Sequence, residues 1–390
     1  MKVLFYLDRV MHYHESTFRA IEKRLEYEGG KFIVASGQPE SNGHGRVTLS
    51  KPVVKHHLFL PYHEWEYGTY TVRWQPTLAN IVRRFEPGVL IVMGHVGCLT
   101  YWRFGWLRKQ MGFKYVTWQC GYEYNPSRLK RVLTDRFLRQ FDYHLAYHTE
   151  AKRYLRSHGV GESRITVMHN TINEQEIALL PRDEARGMVA GELGLPLDRP
   201  IVLYVGAVLP EKKLDRLIGA VRLLKPGAVS LVIVGDGAAL ANLKCLAADL
   251  EYVRFPGRVL KGVGRFFDAA DIFVLPGTGG LAINEAMAHG LPVITGLADG
   301  SAADLITDGV NGYILQSGNS QEIAMRLEAL LADPQTHREM GKVSRELITT
   351  KYSFTNFIDR VMSGLHAAVG QPQKIADPRL LAEQRSYELQ

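Results

Sequence analysis

Short apolar runs alternate with stretches of helical spacing along most of this chain. Residues 2–7 read as a strand, 16–28 as a helix and 32–36 as a second strand. The runs at 89–93 and 115–118 are nearly unbroken, as in parallel strands buried on both faces. Helical patterns occur at 75–84 and 101–110. Residues 142–147, 149–157 and 165–168 continue as strand, helix and strand, leading to His169-Asn170-Thr171-Ile172-Asn173. This alternation predicts a doubly wound α/β layer.

The pattern breaks at residues 174–199, which are charged and lack a sustained strand signal. It then restarts. Strands are predicted at 201–205, 230–234, 252–255, 272–275, 292–295 and 312–315. Helices are predicted at 214–224, 239–248, 263–269, 283–289 and 321–332. We therefore expect an N-terminal domain over 1–180, a linker at 181–199 and a second α/β domain over 200–352. A last helix lies within 353–370, and the polar residues 371–390 read as a loosely held tail. Two such layers with a short joint enclose a cleft at the carboxyl ends of their strands.

Composition fits a globular chain with two cores: 390 residues, 46% hydrophobic and 22% charged. Cys98, Cys120 and Cys245 are far apart and odd in number, which gives neither a disulfide framework nor metal-ligand spacing. A reducing cytoplasm is the expected setting. The apolar run at 3–7 is short for a signal-peptide core, and no run reaches the roughly 18 residues of a membrane span.

The net charge is +7, and part of the excess is clustered. Arg128, Lys130, Arg131, Arg136 and Arg139 interleave with Leu129, Val132, Leu133, Phe137 and Leu138. That is an amphipathic basic helix. It fits a packed helix with a solvated basic face, or peripheral contact with the anionic inner face of the cell membrane. No nucleic-acid recognition module is visible, so nucleic acid is not an expected partner.

The candidate chemistry concentrates in residues 271–294, DIFVLPGTGGLAINEAMAHGLPVI. An apolar strand ends at Pro276, a turn carries Gly277, Gly279 and Gly280, and a helix carrying Glu285 follows. A strand–glycine turn–helix unit gathers backbone N–H groups and a positive helix end around one point, which attracts phosphate. A carboxylate one to two turns into the helix can accept hydrogen bonds from sugar hydroxyls. Phosphate with ribose indicates a nucleotide, although glycine at a strand–helix turn is common in α/β proteins.

The run from Glu285 to Ile294, EAMAHGLPVI, resembles the second half of the donor motif of retaining glycosyltransferases of the GT-B fold. These are the bacterial glycan-assembly enzymes of family four, the glycosyl transferases group 1. The resemblance implies two doubly wound, Rossmann-like domains facing a central cleft. It also implies a nucleotide-diphosphate sugar as donor. Family members carry a first glutamate eight residues before Glu285, where this chain has Gly277. They also read V-G-R-x-x-x-x-K after the first strand of the second domain. Here Gly206 and Lys212 keep that pattern, and Ala207 stands in place of the arginine.

By the resemblance, Lys212 and Glu285 are the catalytic candidates, Lys212 balancing the leaving phosphate and Glu285 binding the ribose. A solvated loop lysine is the alternative for Lys212, and Lys213 is adjacent. Gly206, the turn with Gly235 and Asp236, and the segment reaching Val259 complete the donor side, with Gly279, Gly280, Leu281 and Ala282 at the phosphates. The match is best over residues 200–335 and mostly architectural before them.

On the acceptor side the candidates are His14, His95 and Cys120. Many family members place a histidine near the transferred sugar, but the corresponding stretch here, 117–121, has none. Gln119 or Cys120 fills that place, and a structural role for His95 is the competing reading. His144 and His148 straddle a strand end, a poor arrangement for a shared metal. No D-x-D pair is present, so neither a metal nor a separate cofactor is expected.

The expected activity is metal-independent, retaining transfer of a hexosyl or deoxyhexosyl group to a glycan or lipid-linked acceptor, in bacterial polysaccharide or glycoconjugate assembly. Ala207 and Gly277 suggest an altered donor pose, another sugar or reduced activity. A non-catalytic interaction subunit of the same fold, or a nucleotide-sugar epimerase of this architecture, are the alternatives.

Overall fold

The computed structural model describes residues 1–37, 51–67, 70–121 and 127–371. Strands β1 (Lys2–Leu7), β2 (Lys31–Gly37) and β3 (His57–Leu60) are followed by an antiparallel hairpin, β4 (His63–Tyr67) and β5 (Tyr70–Trp74). Then come β6 (Val89–Met93), β7 (Lys114–Gln119), β8 (Tyr143–Ala146) and β9 (Ile165–Val167). Apart from the hairpin these form one sheet in the order β3-β2-β1-β6-β7-β8-β9, and its pairings are parallel. The connecting helices are α1 (His14–Tyr27), α2 (Leu78–Phe85), α3 (Leu99–Met111), α4 (Arg128–Leu138) and α5 (Thr149–Ser157).

The strand period of two explains the uninterrupted apolar runs. Val3, Phe5 and Leu7 enter one core, while Leu4 and Tyr6 enter the core on the opposite face. Helices cover both faces, so after the exposed Lys2 at its start β1 carries no charged residue.

The second layer begins with α6 (Arg182–Leu193). Its sheet contains β10 (Ile201–Val205), β11 (Ser230–Val234), β12 (Val253–Gly257), β13 (Ile272–Leu275), β14 (Val293–Thr295) and β15 (Gly312–Ile314). The order is β12-β11-β10-β13-β14-β15, again with parallel pairings. Its helices are α7 (Leu214–Leu223), α8 (Leu240–Leu246), α9 (Gly264–Ala269), α10 (Leu281–Ala288), α11 (Ala302–Leu305), α12 (Ser320–Ala332) and α13 (Pro334–Thr349).

Helix α6 lies inside the stretch expected to be linker. Ala185 and Val189, one turn apart, are buried in the second core, and Arg186 pairs with Asp271 at 2.9 Å. Its many charged positions hid a short apolar stripe.

The final helix, α14 (Phe354–Ala368), packs on the first sheet. The Phe357 ring lies 6.0 Å from that of Trp118. A Cβ on Gly364 would fall 2.4 Å from Leu145, so glycine lets the helix approach closely. From residue 372 onward, the expected tail lies outside the described residues.

The layers meet at the carboxyl ends of their strands. Asp304 Oδ2 accepts the Thr149 amide at 2.8 Å, and Asn284 Nδ2 donates to Thr171 Oγ1 at 3.1 Å. Each sheet reverses its winding at one point, between β1 and β6 and between β10 and β13. Ligands of open α/β sheets bind outside such switch points.

Candidate active site

At the β10/β13 switch point, three strand ends form a glycine shelf. The Gly206 amide donates to Val234 O at 3.0 Å, and the Gly235 amide donates to Gly257 O at 2.8 Å. A Cβ on Gly235 would lie 1.8 Å from Gly206 O, and φ there is +143°, so only glycine fits. Asp236 caps the next turn by accepting from the Gly237 amide at 2.8 Å, and Val259 packs half-buried against the core.

Lys212 closes a short 3-10 turn after β10, and its ammonium donates to Thr278 O at 2.5 Å. That carbonyl belongs to the glycine turn after β13, so Lys212 is held at the mouth of α10. Among the described residues, the amides of Gly279, Gly280, Leu281 and Ala282 have no acceptor, and no side chain caps α10. Open amides, a positive helix end and an ammonium converge there, the requirements of a diphosphate site.

Glu285 sits in the second turn of α10. Burial raises its pKa, and His289 one turn later opposes that rise. His289 is itself anchored, with Nδ1 2.6 Å from Asp268 Oδ1. A carboxylate in such surroundings gains from hydroxyl donors that replace lost water.

Of the two positions that depart from the family pattern, Gly277 has surroundings that account for it. A Cβ on Gly277 would lie 2.1 Å from Glu211 O, and the Thr278 amide donates to that same carbonyl at 3.1 Å. The glycine turn is zipped to the Lys212 turn, leaving no space for a side chain. Beside Ala207, the Tyr204 hydroxyl donates to the Ala207 carbonyl at 2.8 Å. A carboxylate not anticipated from sequence, Asp299, stands next to this turn. Its Oδ2 lies 2.4 Å from where a Cβ of Gly280 would be, while Oδ1 accepts from Ser301 Oγ at 2.6 Å.

Across the cleft, the β1/β6 switch point carries a cavity of about 190 Å³. His14 and His95 line it with Asp8, Arg73 and Tyr147. Burial, with a smaller contribution from His12, lowers the His14 pKa to about 4. His95 is exposed to the cleft, yet the surrounding protein desolvates it and lowers its pKa, against the pull of Asp8. Cys120 follows β7 and is half-buried near Tyr147. His144 is fully buried and pairs with Thr117 Oγ1 at 2.9 Å, while His148 accepts from the Ala151 amide at 3.0 Å as the cap of α5. The two therefore serve separate structural purposes. Asp8 and Arg73 were not singled out in the sequence, although Asp8 directly follows β1, at the carboxyl strand end where ligands of such sheets bind.

Residues 189–347 match the family model for glycosyl transferases group 1. The similarity to that family thus lies in the second layer. It is 30% identical over 179 residues to the sulfoquinovosyl transferase of Arabidopsis thaliana, covering 44% of this chain and 34% of that protein. It is 32% identical over 181 residues to the GDP-mannose-dependent phosphatidylinositol monomannoside mannosyltransferase of Mycolicibacterium smegmatis, covering 42% and 47% respectively. The matches thus span between a third and a half of these curated relatives. The structure superposes on HepE of Anabaena, solved with UDP, with a TM-score of 0.76 at 16% identity, covering 94% of this chain and all of that one. The fold is GT-B. No helix among the described residues is long and apolar enough to cross a membrane.

Proposed function

We propose that this chain is a group 1 glycosyl transferase that moves a hexosyl or deoxyhexosyl group from a nucleotide-diphosphate donor to a glycan or lipid-linked acceptor, with retention at the anomeric carbon and without a metal. The observation that carries the reading is the set of open amides from Gly279 to Ala282, with the Lys212 ammonium tethered beside them. In this reading the amides bind the donor phosphates, Glu285 accepts from the ribose hydroxyls, and the shelf at Gly206, Gly235 and Val259 receives the nucleoside. As the bond from the anomeric carbon to phosphate oxygen breaks, the acceptor oxygen bonds to the same face of the sugar. Its proton passes to the departing phosphate. Lys212 stabilises the charge that grows on that phosphate. One relative named above is GDP-mannose-dependent and HepE is solved with UDP, which supports the donor class without selecting a base.

A role in bacterial glycan assembly at a membrane has support in α4. Its Arg128, Arg131 and Arg136 are exposed, together with Val132 and Leu133, while Phe137 and Leu138 are buried. An outer face that mixes cations with open apolar side chains suits an anionic leaflet. The absence of side chains at Gly277 and of the arginine at Ala207 favours a second reading, a non-catalytic subunit of the same fold.

Thermal melting with a panel of nucleoside diphosphates and nucleotide sugars separates the two. A ligand at 100 times its Kd adds about 2.7 kcal/mol and raises Tm. No shift from any of the common nucleoside diphosphates would favour the non-catalytic reading.

A further inference from the structure

Asp299 stands on the loop between β14 and α11, and that loop touches both layers. The Asp299 amide donates to Gly279 O at 3.3 Å, and the Gly296 amide donates to Leu275 O at 3.0 Å. On the other side, a Cβ on Gly300 would fall 2.7 Å from His148 Cε1 and 2.9 Å from Glu150 Cβ. Ala298 holds φ at +51°, a left-handed conformation that costs a residue with a side chain. The loop is thus a fixed turn, and what it presents to the cleft is the Asp299 carboxylate.

The two oxygens of that carboxylate differ. Oδ1 is held by Ser301, accepting from its amide at 3.0 Å and from its hydroxyl at 2.6 Å. Oδ2 accepts no hydrogen bond from the described residues, and the side chain is half-buried. It faces Gly280 at the mouth of α10, where a side chain at 280 would collide with it. Lys212 Nζ stands at the neighbouring glycine, 3.5 Å from the Cβ position of Gly279. The phosphate cradle therefore has an ammonium beside one glycine and a carboxylate beside the next. Asp299 also faces the first layer. Burial chiefly raises the Tyr147 pKa, the Asp299 charge adds to the rise, and Tyr147 lines the cavity across the cleft.

A carboxylate accepts hydrogen bonds and repels anions. Donor phosphates are drawn to the open amides and Lys212, so they leave Oδ2 without a partner. In the transfer reading the sugar hangs from the second phosphate, between the cradle and the first layer, and Oδ2 stands in that space. A sugar hydroxyl supplies the donor that Oδ2 lacks. A uronosyl group would bring a second carboxylate into the same space, and the like charges would disfavour it.

We propose that Asp299 is a donor-sugar contact, its Oδ2 accepting from a hydroxyl of a neutral hexosyl group and discriminating against uronosyl donors. The assignment rests on the donor reading above. It supplies a carboxylate from the loop after β14 at a turn where Gly277 has no side chain to offer.

The test is calorimetry on the full chain with UDP, GDP and matched pairs of nucleotide sugars: UDP-glucose and UDP-glucuronate, UDP-galactose and UDP-galacturonate, GDP-mannose and GDP-mannuronate. A neutral member is expected to bind at least about tenfold tighter than its acid. Asp299→Ala should weaken that neutral nucleotide sugar about tenfold, while affinity for the nucleoside diphosphate alone changes less than about twofold. Asp299→Asn keeps the hold of Ser301 and puts an NH2 group where Oδ2 stands. It should narrow the gap between neutral and acid members to less than about threefold. Equal or tighter binding of the acid by the parent, or an unchanged gap in Asp299→Asn, would overturn the assignment. So would nucleoside diphosphate binding with no neutral nucleotide sugar that Asp299→Ala weakens. An equal loss of nucleoside diphosphate affinity in Asp299→Ala would also overturn it, making Asp299 a support of the cradle. No binding of any nucleoside diphosphate by the parent would instead overturn the donor reading itself.

Discussion

The carbonyl oxygen of Glu211 occupies the space that a side chain at Gly277 would need, 2.1 Å from the ideal Cβ position. The glutamate expected at 277 is therefore excluded by the backbone that also positions Lys212. Gly277→Glu should not restore a family contact. It should separate the two turns and cost about 1–3 kcal/mol, as overpacking of a close-fitted site does. Thermal melting would read the loss, and a variant as stable as the parent would show that the turns are less tightly joined than described.

Glu285→Ala should weaken nucleoside diphosphate binding at least tenfold, since hydrogen bonds to a charged group contribute about 1.5–3 kcal/mol. Its Tm without ligand should be nearly unchanged or higher, because burial already disfavours this carboxylate. The same raised pKa makes nucleotide binding weaken earlier on acidification than an ordinary carboxylate would. Calorimetric titration at several pH values checks both points.

Asp304 ties the layers through the Thr149 amide and lies 3.0 Å from His169 Nδ1. Burial pushes its pKa up, but the adjacent His169 ring and the hydrogen bond from the Thr149 amide outweigh that and hold it at about 2. A carboxyl depressed on folding stabilises the fold above its unfolded pKa of roughly 3.9, and the benefit disappears as pH falls toward 2. Asp304→Asn should therefore lower Tm at neutral pH, with the gap to the parent narrowing between about pH 4 and pH 2. A gap independent of pH would remove the charge from the explanation.

The exposed basic face of α4 predicts binding to anionic vesicles and none to neutral ones. Each basic residue near the surface contributes about 1 kcal/mol, and salt screens it. Changing Arg128, Lys130 and Arg131 to Glu should abolish sedimentation with phosphatidylserine vesicles. Binding that persists in high salt, or in this variant, would leave α4 as an ordinary solvated helix.

Much of this architecture was legible in the chain because its signals are local. Strands buried on both faces must be apolar throughout, so β1, β6 and β10 stand out in the sequence. The helix ending at Gly290-Leu291-Pro292 is bounded by residues that break helices, and Lys212 and Glu285 carry the chemistry of their type wherever they lie. Other features depend on contacts between distant segments. Alternating charge hid the apolar stripe of α6, whose burial requires α9 beside it. The hairpin of β4 and β5 carries Glu64 and Arg73, and those residues gain meaning only where Arg9 pairs with Glu64 and Asp8 with Arg73. Gly277 reads as a lost glutamate until the Glu211 carbonyl is seen in its place. Local periodicity follows from the backbone of each segment alone, whereas steric exclusion, charge balance and an unpaired oxygen exist only between segments that folding brings together.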